Sequence, residues 1–98
     1  MKVILAPLAE RQLADLPVPA AERVVKALRL LQAAPLSGPP YPDDSPLRGA
    51  RYKTVVVRAP RWSYRITYTV QRQELWVRSL HPSWYPLTHP GFADPVDD

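Results

Sequence analysis

Trp62-Ser63-Tyr64-Arg65-Ile66-Thr67-Tyr68-Thr69-Val70 alternates large apolar or aromatic side chains with polar ones at a period of two. That period belongs to a β-strand with one buried face. It assigns Trp62, Tyr64, Ile66, Tyr68 and Val70 to a core, and Ser63, Arg65, Thr67 and Thr69 to the opposite face. Two further segments flank this one, Arg51 to Arg58 and Leu75 to Leu80, both rich in β-branched or aromatic residues. Ala59-Pro60-Arg61 and Arg72-Gln73-Glu74 separate the three. Connections so short force antiparallel neighbours.

Working towards the N-terminus, residues 35–46 contain Pro35, Pro39, Pro40, Pro42, Pro46 and Gly38 beside Asp43 and Asp44. Such a composition excludes helix and central strand and predicts a loop, partly extended. Before it, Ala20 to Ala34 places Val24, Val25, Leu28 and Leu31 on one side and Glu22, Arg23, Lys26 and Arg29 on the other, the pattern of an amphipathic helix laid on a core. Leu8 to Leu16 repeats the pattern through Ala9, Leu13 and Leu16, opened by Pro7 and stopped by Pro17 and Pro19. Lys2 to Ala6 is a short apolar strand. The expected fold is α+β in the order β-α-α-β-β-β, with both helices packed on one face of a four-stranded, mainly antiparallel sheet. The other face is then free for function.

At 98 residues, 46% hydrophobic and 22% charged, the chain reads as one globular domain, residues 1–85, followed by a loose Pro- and Asp-rich tail, 86–98. No apolar run approaches the roughly 20 residues that span a bilayer, so a cytoplasmic protein with no membrane partner is expected. Without cysteine, and with His81 and His89 as its two histidines, the chain offers no thiol chemistry and too few ligands for a His-based metal site. No metal and no cofactor is expected. The net charge of +4 is unevenly placed: residues 47–85 carry eight basic side chains against Glu74 alone, a local +7. Clustered guanidinium groups on a sheet favour a polyanionic partner, either nucleic acid or an acidic protein.

Register decides which of these cations meet. If residue 58 pairs with residue 62, Lys53 lies opposite Thr67 and Val55 opposite Arg65, on the polar face. If residue 71 pairs with residue 75, His81 lies opposite Arg65. A one-residue slip would invert either assignment, and Trp76, Arg78 and Leu80 are candidates for either face. A face holding Lys53, Arg65 and His81, with Tyr85 just beyond, suits attack of a ribose 2′-hydroxyl on its own phosphate. That reaction needs a base, cations for the charged phosphorane and an acid for the leaving oxygen. Arg65 suits phosphate stabilisation because its planar fork is permanently charged. His81 suits either proton-transfer role. Lys53 can act as base only where neighbours lower its pKa. Trp84 and Tyr85 can stack on an unpaired base. Arg48, Arg51, Arg58, Arg61 and Arg78 are the candidate RNA or phosphate contacts. The plainer readings are a solvated Lys53, a strand-ending His81 and a Tyr85 that caps the core edge.

Leu47-Arg48-Gly49, Tyr52-Lys53 and Tyr64-Arg65-Ile66-Thr67-Tyr68, set after two helices and before Leu80-His81 and Tyr85, give residues 2–85 a pattern that resembles the RelE/ParE superfamily of toxins. The resemblance implies a toxin neutralised by a cognate antitoxin protein. In RelE-like members it implies cleavage of mRNA on the ribosome, with Lys53, Arg65, His81 and Tyr85 at the matching catalytic positions. In ParE-like members it implies inhibition of DNA gyrase on the same scaffold. An inactive remnant that only binds its antitoxin is the third possibility. The chain departs from the pattern where Thr54, Val55, Val56 and Val57 follow Lys53 in place of further lysines, which moves weight from Lys53 to His81. It departs again in the proline-rich loop and the acidic tail, either of which would contact the antitoxin or nothing.

Overall fold

The computed structural model describes residues 1–57 and 63–82. Its elements run β1 (Lys2–Leu5), α1 (Pro7–Asp15), α2 (Val18–Ala33), β2 (Arg51–Val56), β3 (Ser63–Gln71) and β4 (Glu74–Pro82). They form an α+β fold with one four-stranded sheet in the order β1-β4-β3-β2. β1 runs parallel to β4, whereas β4–β3 and β3–β2 are antiparallel. The expected architecture is therefore present, with element ends within two residues of the sequence reading.

Each helix carries a proline in its first turn, Pro7 in α1 and Pro19 in α2, where the missing N–H is not needed. α2 buries Ala20, Val24, Ala27, Leu28 and Leu31, a stripe at helical spacing. This stripe and Ala9 of α1 pack on Val55, Ile66, Tyr68, Leu75, Val77 and Leu80 of the sheet, with Val3, Leu5, Leu13, Leu16 and Val70 at the margin. All core side chains of the strands thus leave one face, and burying them away from water is the main drive to fold.

Two departures from regular pairing set the register. Gln71 pairs with Glu74, so the β3–β4 connection is the two-residue turn Arg72-Gln73, and both residues have positive φ, 51° and 65°. Two successive left-handed residues make the turn type that matches strand twist in a tight hairpin. The second departure is a bulge: pairing passes from Tyr68↔Val77 to Thr67↔Ser79, which leaves Arg78 as one extra residue in β4.

The proline-rich loop packs against the sheet. Tyr52 N–H donates to Pro39 O and Tyr41 N–H to Ala50 O, both at 3.0 Å, and Pro40 bridges Arg51, so residues 39–41 extend the free edge of β2. On the helix side the Tyr68 hydroxyl donates to Pro35 O at 2.9 Å and accepts from Gly38 N–H at 3.1 Å. The Arg51 guanidinium donates to Gly38 O at 2.7 Å. Prolines suit this edge because a strand that has no further neighbour needs no outward donors.

Gly38 is buried where an added Cβ would collide with the Tyr52 carbonyl oxygen and the Tyr68 hydroxyl. Gly38→Ala is expected to cost about 1–3 kcal/mol, seen as a lower urea midpoint; an unchanged midpoint would mean that the loop is not seated there. In the β3–β4 turn, Arg72→Asn with Gln73→Gly is expected to gain about 1 kcal/mol by relieving left-handed backbone. Calorimetry would register this as a higher Tm, and a lower one would contradict the turn geometry.

Candidate functional site

Residues directly paired across antiparallel strands share a face. Ile66 and Tyr68 of β3 face the helices, so Arg65, Thr67 and Thr69 face outward. Their partners on β4 are His81, Ser79 and Trp76, and those on β2 include Thr54 opposite Arg65 and Tyr52 opposite Thr67. The outer face thus carries Arg65, Thr67, Ser79 and His81 at its centre, flanked by Tyr52.

This centre is buried. Arg65 is 7% exposed, His81 6%, Ser63 4%, Ser79 2% and Thr67 0%. Burying polar groups costs free energy unless they are hydrogen-bonded, and here Ser79 bonds His81 while Thr67 bonds Tyr41. Ser79 Oγ and His81 Nε2 lie 2.7 Å apart. The Tyr41 hydroxyl lies 2.6 Å from Thr67 Oγ1. The Arg65 guanidinium sits 5.5 Å from the centre of the Tyr52 ring, a cation–π arrangement. The Tyr41 and Tyr52 rings pack at 4.9 Å and 58°. A small second core of Tyr41, Ala50, Leu47 and Tyr52 lies under the loop.

The centre of the face is therefore not open as the sequence pattern suggests, and the proline-rich loop lays Tyr41 against Thr67 and Tyr52 there. Lys53 needs a further correction. It pairs with Ile66, not Thr67, and Val55 pairs with Tyr64, not Arg65. Lys53 thus stands half-buried on the helix face, away from Arg65 and His81. The cause is the β2–β3 connection, in which Val56 pairs with Ser63, a register one residue away from that set by pairing 58 with 62. His81 does pair with Arg65, although by another route: the hairpin closes at Gln71↔Glu74, and the bulge at Arg78 restores the register.

The candidate phosphate contacts have different fates. Arg48 is exposed on the loop. Arg51 faces the helix side, where it braces the carbonyl oxygens of Leu36 and Gly38. Arg78 lies on the outer face with its guanidinium 5.0 Å from the Trp76 ring and its Nε donating to Thr69 Oγ1 at 3.0 Å. Trp76, whose Nε1–H donates to Glu74 at 3.1 Å, therefore belongs to the outer face and not the core. Arg58, Arg61, Trp84, Tyr85 and His89 lie outside the described residues. Among the described residues no group of three or more His, Asp or Glu is placed to hold a metal ion, and no helix is long and apolar enough to cross a membrane.

Tyr41, Thr67 and Ser79 belong to the site although motif reading passes over them. Ser79 and Thr67 each stand two residues from a candidate, His81 and Arg65, and strand alternation alone puts each on its neighbour's face. Tyr41 carries only the weaker signal of an aromatic among prolines.

Burial raises the pKa of Tyr41 above the ordinary 10.0, against opposing effects of its Thr67 bond and of Arg65. Burial likewise raises that of Tyr68, opposed by its Gly38 bond and by Arg51. The unfolded chain ionises its tyrosines at the ordinary value. The protonated phenols therefore favour the folded state fully below that pH, and the advantage is lost as pH rises towards the folded values. Urea midpoints are expected to fall above about pH 10, and to fall less steeply in Tyr41→Phe. Equal slopes in the two proteins would show that the Tyr41 phenol ionises as if in water.

No family model, curated protein or solved structure matches the chain.

Proposed function

We propose that the chain is the toxin component of a toxin–antitoxin module that arrests translation by cutting mRNA on the ribosome, and that a cognate antitoxin neutralises it. The observation that carries this reading is the direct pairing of Arg65 with His81 on the sheet face turned away from the helices. The RelE/ParE-like order of motifs and the β-α-α-β-β-β element order support it.

In this reading Arg65 binds the scissile phosphate and stabilises the charge that builds on its oxygens. His81 serves in proton transfer. It takes the proton of the attacking 2′-hydroxyl, or supplies one to the departing 5′-oxygen, as the new O2′–P bond forms and the P–O5′ bond breaks. The products are a 2′,3′-cyclic phosphate and a 5′-hydroxyl. Lys53 has no part in this chemistry, being on the other face. Tyr85 keeps only the role that the resemblance implies.

A second reading is favoured by the burial of Arg65 and His81: a ParE-like protein that binds DNA gyrase through its surface and does no chemistry. Expression without antitoxin separates the two when amino-acid and thymidine incorporation are followed in parallel. The nuclease reading expects translation to stop first, with cleaved mRNA, and expects Arg65→Lys and His81→Gln each to slow cleavage about 100-fold while Lys53→Gln does not. Replication stopping first would transfer the assignment to gyrase. Growth without arrest would leave an inactive remnant.

A further inference from the structure

Tyr41 reaches the site from the proline-rich loop, whereas Tyr52, Thr67, Ser79 and His81 stand with Arg65 on the sheet. The loop is fixed where Tyr41 leaves it, by Tyr41 N–H to Ala50 O and by Tyr52 N–H to Pro39 O, each 3.0 Å. From there the Tyr41 ring packs on Tyr52, whose own ring lies against the Arg65 guanidinium. The hydroxyl lies 2.6 Å from Thr67 Oγ1. Thr67 is two residues from Arg65 on the same strand and the same face, so the anchor and the anchored group move together.

We propose that Tyr41 is a positioning residue: its ring, pinned by the bond of its hydroxyl to Thr67, holds the Tyr52 ring against the Arg65 guanidinium, so that the plane of the fork is fixed before a phosphate arrives. The inference rests on the RNA-cleaving reading and adds to it the residue that orients the phosphate-binding group. A free arginine side chain samples many rotamers, and its paired donors match two phosphate oxygens only in one plane. Holding that plane in advance removes an ordering cost from the chemical step. Bulk alone at position 41 would fill the space over Tyr52, but without the bond to Thr67 the ring would not be pinned there.

Tyr41→Phe separates bulk from hydroxyl, since it keeps the ring on Tyr52 and deletes only the oxygen. Two readouts are needed on the full chain: the order of the Arg65 Nε–H by nitrogen-15 relaxation, with the resonance assigned through Arg65→Lys, and steady-state cleavage of mRNA on ribosomes. Tyr41→Phe is expected to lower the order of Arg65 and to reduce kcat about tenfold, with KM changed less than twofold. Thr67→Val, which removes the brace and keeps the shape, is expected to do the same. An Arg65 signal equally ordered in both variants would overturn the inference, whatever happens to Tm, because it would assign Tyr41 to packing alone. Should the parent protein cut no RNA, the nuclease reading falls, and the Arg65 order in the two variants still decides whether Tyr41 positions the guanidinium.

Discussion

One extra residue in β4, Arg78, governs which side chains meet on the outer face of the sheet. Without it, the register of the Arg72-Gln73 turn would run on unchanged, with Tyr68 opposite Val77 continuing to Tyr64 opposite His81. His81 would then point into the helix-facing core and Leu80 into the polar cluster. The bulge adds the missing residue, so Thr67 meets Ser79 and Arg65 meets His81 while Leu75, Val77 and Leu80 all stay in the core. Bulges serve elsewhere to re-aim a side chain without breaking a sheet. Here both ends of β4 keep their hydrophobic contacts, and the re-aimed residue is the site's histidine.

The polar cluster that results sits in surroundings where electrostatics is strong. A guanidinium 7% exposed gives up most of its water, and the Tyr52 ring against it offsets part of the loss. That ring in turn packs on Tyr41 of the proline-rich loop. A loop of this composition cannot pair on both sides, so it suits the outer edge of β2, where it needs only the bonds it makes inward. The polar centre and the loop are thus joined through Tyr41, which bonds Thr67 and packs on Tyr52.

The helices and the strand alternation were legible because they rest on local periodicity. Ile66 and Tyr68 could be assigned to the core from sequence spacing, as could Val24, Leu28 and Leu31. Register was not legible, because it depends on parity. A shift of one residue between Val56↔Ser63 and the expected closure moves Lys53 across the sheet, and nothing in the local sequence distinguishes the two. Arg65 meets His81 because the bulge compensates a hairpin that closes at Gln71↔Glu74, one residue short of the expected 71 with 75. Trp76, a candidate for either face by its position, lies on the outer one, where Arg78 and Glu74 satisfy its ring and its N–H.

The two faces of the sheet are commonly treated as separable, one for stability and one for function, but the loop joins them here. Tyr68 and Arg51 hold Gly38 and its neighbours from the helix side, and three residues later Tyr41 turns onto the outer side. Gly38 stands between these anchors with no room for a side chain. Any shift that relieves crowding at Gly38 must move the backbone that carries Tyr41, because the Pro39, Pro40 and Tyr41 positions are tied to β2 by two backbone bonds and a bridge. Contiguous packing and hydrogen bonds thus connect the core side at Gly38 to the Tyr41 hydroxyl on Thr67.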